Sequence, residues 1–139
     1  MEQEETIDYN IRRTWYNITK IYNETAAEHM ASAGLGMVLL NIDMYSGTPS
    51  TQLGPRMGME STSLSRALKK LETLKIIERR SDPNDKRKSI IHLTNKGIKS
   101  REIAKKTVID FNEKVRSHFT KEQMDSFLQM LNKINKIIG

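Results

Sequence analysis

Apolar residues at Ile7, Ile11, Trp15, Ile18, Tyr22 and Ala26 recur at three- or four-residue spacing, the mark of one helical face. The pattern predicts a first helix from about Thr6 to His29, interrupted at Ala33-Gly34. Leu35 to Tyr45 is apolar nearly all round and predicts a shorter helix buried in the core. Ser46-Gly47-Thr48-Pro49 has the chemistry of a loop. Ser50 or Thr51 then opens a short helix ending near Met57, and Gly58-Met59 makes a tight turn. A further helix follows from about Ser61 to Leu74, with Leu64, Leu68, Leu71 and Leu74 facing inward. Two short helices joined by a Gly-containing turn form a helix-turn-helix pattern.

The period then changes. Ile76 to Arg80 and Ser89 to Leu93 are β-prone runs flanking a polar stretch, Ser81 to Lys88, which predicts a hairpin with a long loop. A hairpin directly after a helix-turn-helix is a wing. Helix returns behind Thr94, a predicted N-cap, with Ile98, Ala104, Val108, Phe111, Val115 and Phe119 on one face. Thr120-Lys121-Glu122-Gln123 is a capping-box pattern, followed by an apolar stripe at Met124, Phe127, Leu128, Leu131, Ile134 and Ile138. The fold class expected is mainly α with a small β-hairpin wing. The terminal helices carry more apolar face than a winged core of roughly 60 residues can cover, which predicts a homodimer built from both chain ends.

Composition narrows the chemistry. The 139 residues, 37% hydrophobic and 29% charged, fit one globular domain. With no cysteine, disulfides, thiolate zinc sites and thiol redox sensing are excluded. The longest apolar run, Leu35 to Ile42, is far too short to span a bilayer, and the acidic start Met1 to Glu5 does not read as a signal peptide. A cytoplasmic protein with no membrane partner is expected. The net charge of +6 is unevenly spread: residues 1–49 carry −4, residues 50–101 carry +8 and residues 102–139 carry +2. The cations crowd where a polyanion would be met, although a solvated basic face would look the same.

The run Gly58 to Arg66, then Leu71-Glu72, then Ile76-Ile77-Glu78-Arg79, resembles the multiple-antibiotic-resistance regulator (MarR) family. Asp82-Pro83-Asn84-Asp85-Lys86-Arg87 resembles its wing signature, and Leu93-Thr94-Asn95-Lys96-Gly97 the motif that opens its next helix. These motifs span about 50 residues. The resemblance implies a triangular bacterial or archaeal homodimer with interlocked terminal helices and a winged helix-turn-helix at each lower corner. It implies a transcriptional regulator, usually a repressor, that releases DNA when a small molecule binds. Residues 1–32 and 97–139 would then dimerise, and residues 33–96 would bind DNA. One departure is Lys75, where family members commonly carry the Gly that closes the recognition helix.

Candidate contacts follow from residue chemistry. Ser61, Thr62, Ser63 and Ser65 are short hydroxyl side chains at a helix N-terminus, able to approach phosphates or base edges. Arg66 is the candidate for bidentate guanine recognition, the alternative being an ion pair to Glu60, Glu72 or Asp85. Ser50 and Thr51 suit phosphate binding, though capping alone would also explain them, and Lys69 and Lys70 suit phosphate. Arg87 is expected at the hairpin tip, where the resemblance places it in the minor groove and has Asp85 pin an arginine guanidinium; the alternative is a solvated Lys/Arg-rich turn tip, and Lys86 and Lys88 are expected as nonspecific cations.

The resemblance also places an effector between the dimerisation helices and the winged domain, a region that would include Trp15, Tyr22, His29, Met37 and Tyr45. Each of these is equally at home as plain core. An aromatic or acyl ligand would suit them; no cofactor is implied. His29, His92 and His118 are scattered without a ligand-pair spacing, so no metal site is expected. No phosphate loop or nucleophile motif points to an enzyme. An architectural nucleic-acid protein without sequence preference shares the charge and the fold.

Overall fold

The computed structural model describes residues 1–26 and 32–139. A 3-10 turn at Gln3–Glu5 precedes α1 (Ile7–Ala26), followed by α2 (Ala33–Leu40), β1 (Thr48–Pro49), α3 (Ser50–Met57), α4 (Ser61–Thr73), β2 (Ile77–Asp82), β3 (Asp85–Leu93), α5 (Asn95–Arg116) and α6 (Lys121–Ile138). The chain divides into two units, residues 1–105 and residues 106–139.

In the first unit, Leu35, Val38, Leu39, Ile42, Leu53, Leu64, Leu68, Leu71, Ile76, Ile77, Ile91 and Ala104 form one core. The helix-turn-helix spacing explains its shape. Leu64, Leu68 and Leu71 bring one face of α4 onto Leu53 of α3 and the apolar body of α2. Each such leucine contributes about 1.5–3 kcal/mol by leaving water. The α3–α4 turn is made by Gly58 at φ 60°, a left-handed conformation that glycine adopts without a Cβ penalty, with the Met59 N–H donating back to Gly54 O at 3.0 Å.

The sheet is antiparallel in the order β1-β3-β2. β1 is two residues long and was read from the sequence as loop; buried Thr48 pairs with Ile91, and its hydroxyl accepts from the Asp43 N–H at 2.9 Å. Two residues carry too little pattern to be recognised alone. The hairpin loop is also shorter than expected. Both strands run on into the polar stretch, with Asp82 and Asp85 paired, and only Pro83 and Asn84 between the strands.

α2 departs from its expected bounds at both ends. Ala33-Gly34 starts this helix instead of breaking one, because the Ser32 hydroxyl caps it by accepting from the Leu35 N–H at 3.3 Å. It stops at Leu40, not Tyr45, because the Asp43 carboxylate takes the Tyr45 and Ser46 N–H groups at 2.9 and 2.8 Å and folds a turn. Those bonds hold the Asp43 carboxyl below its ordinary pKa, the Ser46 N–H contributing most.

In the second unit, α6 is capped as its sequence predicts: the Thr120 hydroxyl accepts from the Gln123 N–H at 3.1 Å and Gln123 returns a bond to the Thr120 N–H at 2.9 Å. Met124, Leu131 and Ile134 are half-buried, whereas Phe127, Leu128, Met130, Ile137 and Ile138 are exposed.

Candidate nucleic-acid interface

α4 buries its leucines and therefore turns Ser61, Thr62, Ser63, Ser65, Arg66, Lys69 and Lys70 to solvent. Its N-cap residue, Glu60, makes no side-chain cap, so the first N–H groups of the helix are left to an outside acceptor. Arg66 pairs with none of its three expected carboxylates and has no ion-pair partner among the described residues. Glu72 is held instead by Arg79 at 3.1 Å, and Asp85 by Arg87 at 3.4 Å. The Arg66 guanidinium is thus free to form a fork with an acceptor pair such as guanine O6 and N7. In α3, Thr51 is exposed and Ser50 half-buried, with Gln52 bonded to Arg56 at 3.2 Å.

The wing is built for reach. Between the pairs Ser81–Ser89 and Asp82–Asp85 the register shifts, so that Lys86, Arg87 and Lys88 have no partner on β2. Three consecutive cations are extruded from the ladder, and all three are exposed. Asp85 orders the middle one, since its Oδ1 accepts both the Arg87 N–H at 3.0 Å and the Arg87 Nε–H at 3.4 Å. Arg87 remains 93% exposed while so held, a stiffened cation aimed outward. It lies on β3 and not in the two-residue turn, a correction to its expected place at the hairpin tip. On β2, Arg79 and Arg80 are paired with Glu72 and Glu78 and add less free charge than their sequence suggests.

The corner between α4 and β2 was legible only in part. Lys75 occupies the left-handed region at φ 59°. Its N–H donates to Glu72 O at 3.0 Å and the Ile76 N–H to Leu71 O at 2.9 Å, so the helix closes as it would with glycine. Lys96, which sequence reasoning did not single out, donates from Nζ to Leu74 O at 3.0 Å. The motif Leu93-Thr94-Asn95-Lys96-Gly97 was the signal for it.

The candidate effector residues fall in the first unit. Tyr22 is half-buried, its hydroxyl pKa pushed up by that burial, and Met37 is half-buried. Trp15 is partly exposed and Tyr45 is 91% exposed. His29 lies outside the described residues. Among the described residues no group of three His, Cys, Asp or Glu side chains comes together as a metal site, and no helix is long and apolar enough to cross a membrane.

A helix-turn-helix whose second helix presents a polar, cationic face, followed by a basic hairpin, defines a winged-helix protein. Solved structures share this fold over nearly the whole chain. MepR from S. aureus, in complex with DNA, is 20% identical with a TM-score of 0.87, covering 94% of this chain and 97% of that one. CouR, bound to a 23-mer DNA duplex, is 24% identical with a TM-score of 0.82, covering 95% and 94%. PcaV from Streptomyces coelicolor, in complex with its natural ligand, is 15% identical with a TM-score of 0.86, covering 100% and 98%. No curated protein matches the chain in sequence. Residues 32–89 match the model of the MarR family.

Proposed function

We propose that the chain is a sequence-specific regulator of transcription that binds a palindromic double-stranded operator as a homodimer and leaves it when a small molecule binds. The observation that carries this reading is the extruded Lys86-Arg87-Lys88 segment, with Arg87 braced by Asp85, on the same unit as the exposed Ser/Thr/Arg face of α4. α4 has the size and chemistry to read a major groove, with Arg66 on base edges and Lys69 and Lys70 on phosphates. Arg87 suits a narrow minor groove, where negative potential is concentrated. The DNA-bound states of MepR and CouR support the same use of this fold.

Dimerisation is supported by apolar surface within each unit. α1 exposes Ile7, Ile11, Trp15, Tyr16 and Ile21, and α6 exposes Phe127, Leu128, Met130, Ile137 and Ile138. Residues 1–32 and 97–139 serve dimerisation in this reading, and residues 33–96 bind DNA. Ligand-bound PcaV and CouR with p-coumaroyl-CoA support a small-molecule effector, for which Trp15, Tyr22, His29, Met37 and Tyr45 are the candidates. The reading places the protein in the bacterial cytoplasm and assigns it no turnover.

Selection of bound sequences from a random DNA pool at physiological salt tests it. Recovery of a palindrome with half-sites about 34–36 Å apart is expected. Enrichment of no motif, with binding competed away by unrelated DNA, would point to an architectural protein.

A further inference from the structure

We infer that Lys96 is a positioning residue that fastens the C-terminal end of the recognition helix to α5 and thereby sets DNA affinity without touching DNA. The inference rests on the DNA-binding reading above. Just past the last turn of α4, the successive carbonyls of Leu74, Lys75 and Ile76 have no partner within the helix, and all three are taken by Thr94 and Lys96 at the start of α5. Leu74 O accepts from Lys96 Nζ at 3.0 Å, Lys75 O from the Thr94 hydroxyl at 2.7 Å, and Ile76 O from the Thr94 N–H at 3.1 Å. The ammonium of Lys96 also sits at the negative end of the α4 dipole, where a cation is favoured. It has no ion-pair partner among the described residues.

This chain has a particular need for such a fastening. Lys75 is held in a left-handed conformation that L-residues disfavour, which makes the exit from α4 the strained point of the DNA-reading unit. Gly97 lets α5 come close enough to act, since a Cβ there would stand 2.0 Å from Ile76 O. The consequence is regulatory. Any displacement of the first turn of α5 pulls directly on the carbonyls that end α4, so a change in α5 becomes a change in recognition-helix placement.

The test is Lys96→Met, which keeps the aliphatic stem and removes the donor, with two readouts. In the free protein, hydrogen exchange at the Lys75 and Ile76 amides is expected to accelerate about fivefold or more. On a selected operator, affinity is expected to fall about three- to tenfold with an unchanged slope of log affinity against log salt. A slope smaller by about one would make Lys96 a phosphate contact and overturn the inference. So would unaltered exchange at Lys75 and Ile76. If the wild-type protein selects no DNA, the DNA-binding reading fails on its own, and the exchange measurement still decides whether Lys96 holds the helix.

Discussion

Replacing Gly97 by Ala sets two effects of opposite sign against each other. Helix propensity favours Ala by about 0.8–1.0 kcal/mol, and Gly97 lies inside the first turn of α5. Against this, the new Cβ would meet Ile76 O at 2.0 Å and its carbonyl carbon at 3.1 Å. A comfortable carbon–oxygen contact needs about 3.3 Å, so helix and corner must part by more than an ångström. The Ile76 carbonyl is backbone within the core and cannot rotate away. Separation breaks its bonds to the Thr94 N–H, now 3.1 Å, and to the Thr94 hydroxyl, now 3.0 Å, each worth roughly 0.5–1.5 kcal/mol. Overpacking adds about 1–3 kcal/mol. The clash wins, and net destabilisation of about 3 kcal/mol is expected. Urea denaturation followed by far-UV circular dichroism, at one fixed protein concentration, measures it. Gly34→Ala is the control: among the described residues its Cβ would meet only the Ser32 Oγ, at 4.0 Å, so it should be neutral or stabilising. If Gly97→Ala costs less than about 1 kcal/mol, the close approach does not constrain the corner and the reasoning fails.

Other perturbations probe the same features. Arg87→Ala should weaken operator binding by about five- to 150-fold, as loss of a bidentate or minor-groove arginine does at roughly 1–3 kcal/mol, while thermal stability stays unchanged; undiminished binding in a gel-shift titration at fixed salt removes Arg87 from the interface. Lys75→Gly should relieve the left-handed strain, stabilise by about 1 kcal/mol and raise the melting temperature by about 3 °C, so a fall in melting temperature would show that the Lys75 side chain has a compensating role. The Asp43 carboxyl is depressed by the Ser46 and Tyr45 N–H bonds. Its contribution is therefore present in full above the ordinary carboxylate pKa and is lost as pH falls through the lower, folded value. Asp43→Asn should flatten the acid limb of a stability-against-pH curve, and an acid limb identical to the wild type would refute that assignment.

The helices were legible because their apolar spacing is dense and long. Leu64, Leu68 and Leu71 announce α4, and Thr120 with Gln123 announces the start of α6. What sequence reasoning missed depends on partners distant in the chain. β1 exists only because Ile90 and Ile91 pair with Pro49 and Thr48, and nothing in Ser46 to Pro49 reveals them. The end of α2 was set by a side chain, Asp43, bonding its own backbone, a competition that hydrophobic period does not register. In the candidate interface, residue types were readable but pairing was not. Arg66 and Arg79 look alike in sequence, yet one is free and the other is held by Glu72. Lys96 was one lysine among many until its Nζ was found 22 residues back along the chain, on Leu74 O.

The extruded segment of the wing separates two jobs that a strand normally has to do at once. Residues 77–81 and 89–93 keep the sheet in register, while Lys86 to Lys88 answer to no cross-strand neighbour. Sequence drift there carries no penalty in the ladder, because a one-residue slip flips side chains only where strands are paired. Charge and length in this segment can therefore be altered step by step, like changing the bit on a fixed handle. Under the proposed function, a lineage carrying this wing can retune its grip on DNA through three codons without refolding the domain that presents it.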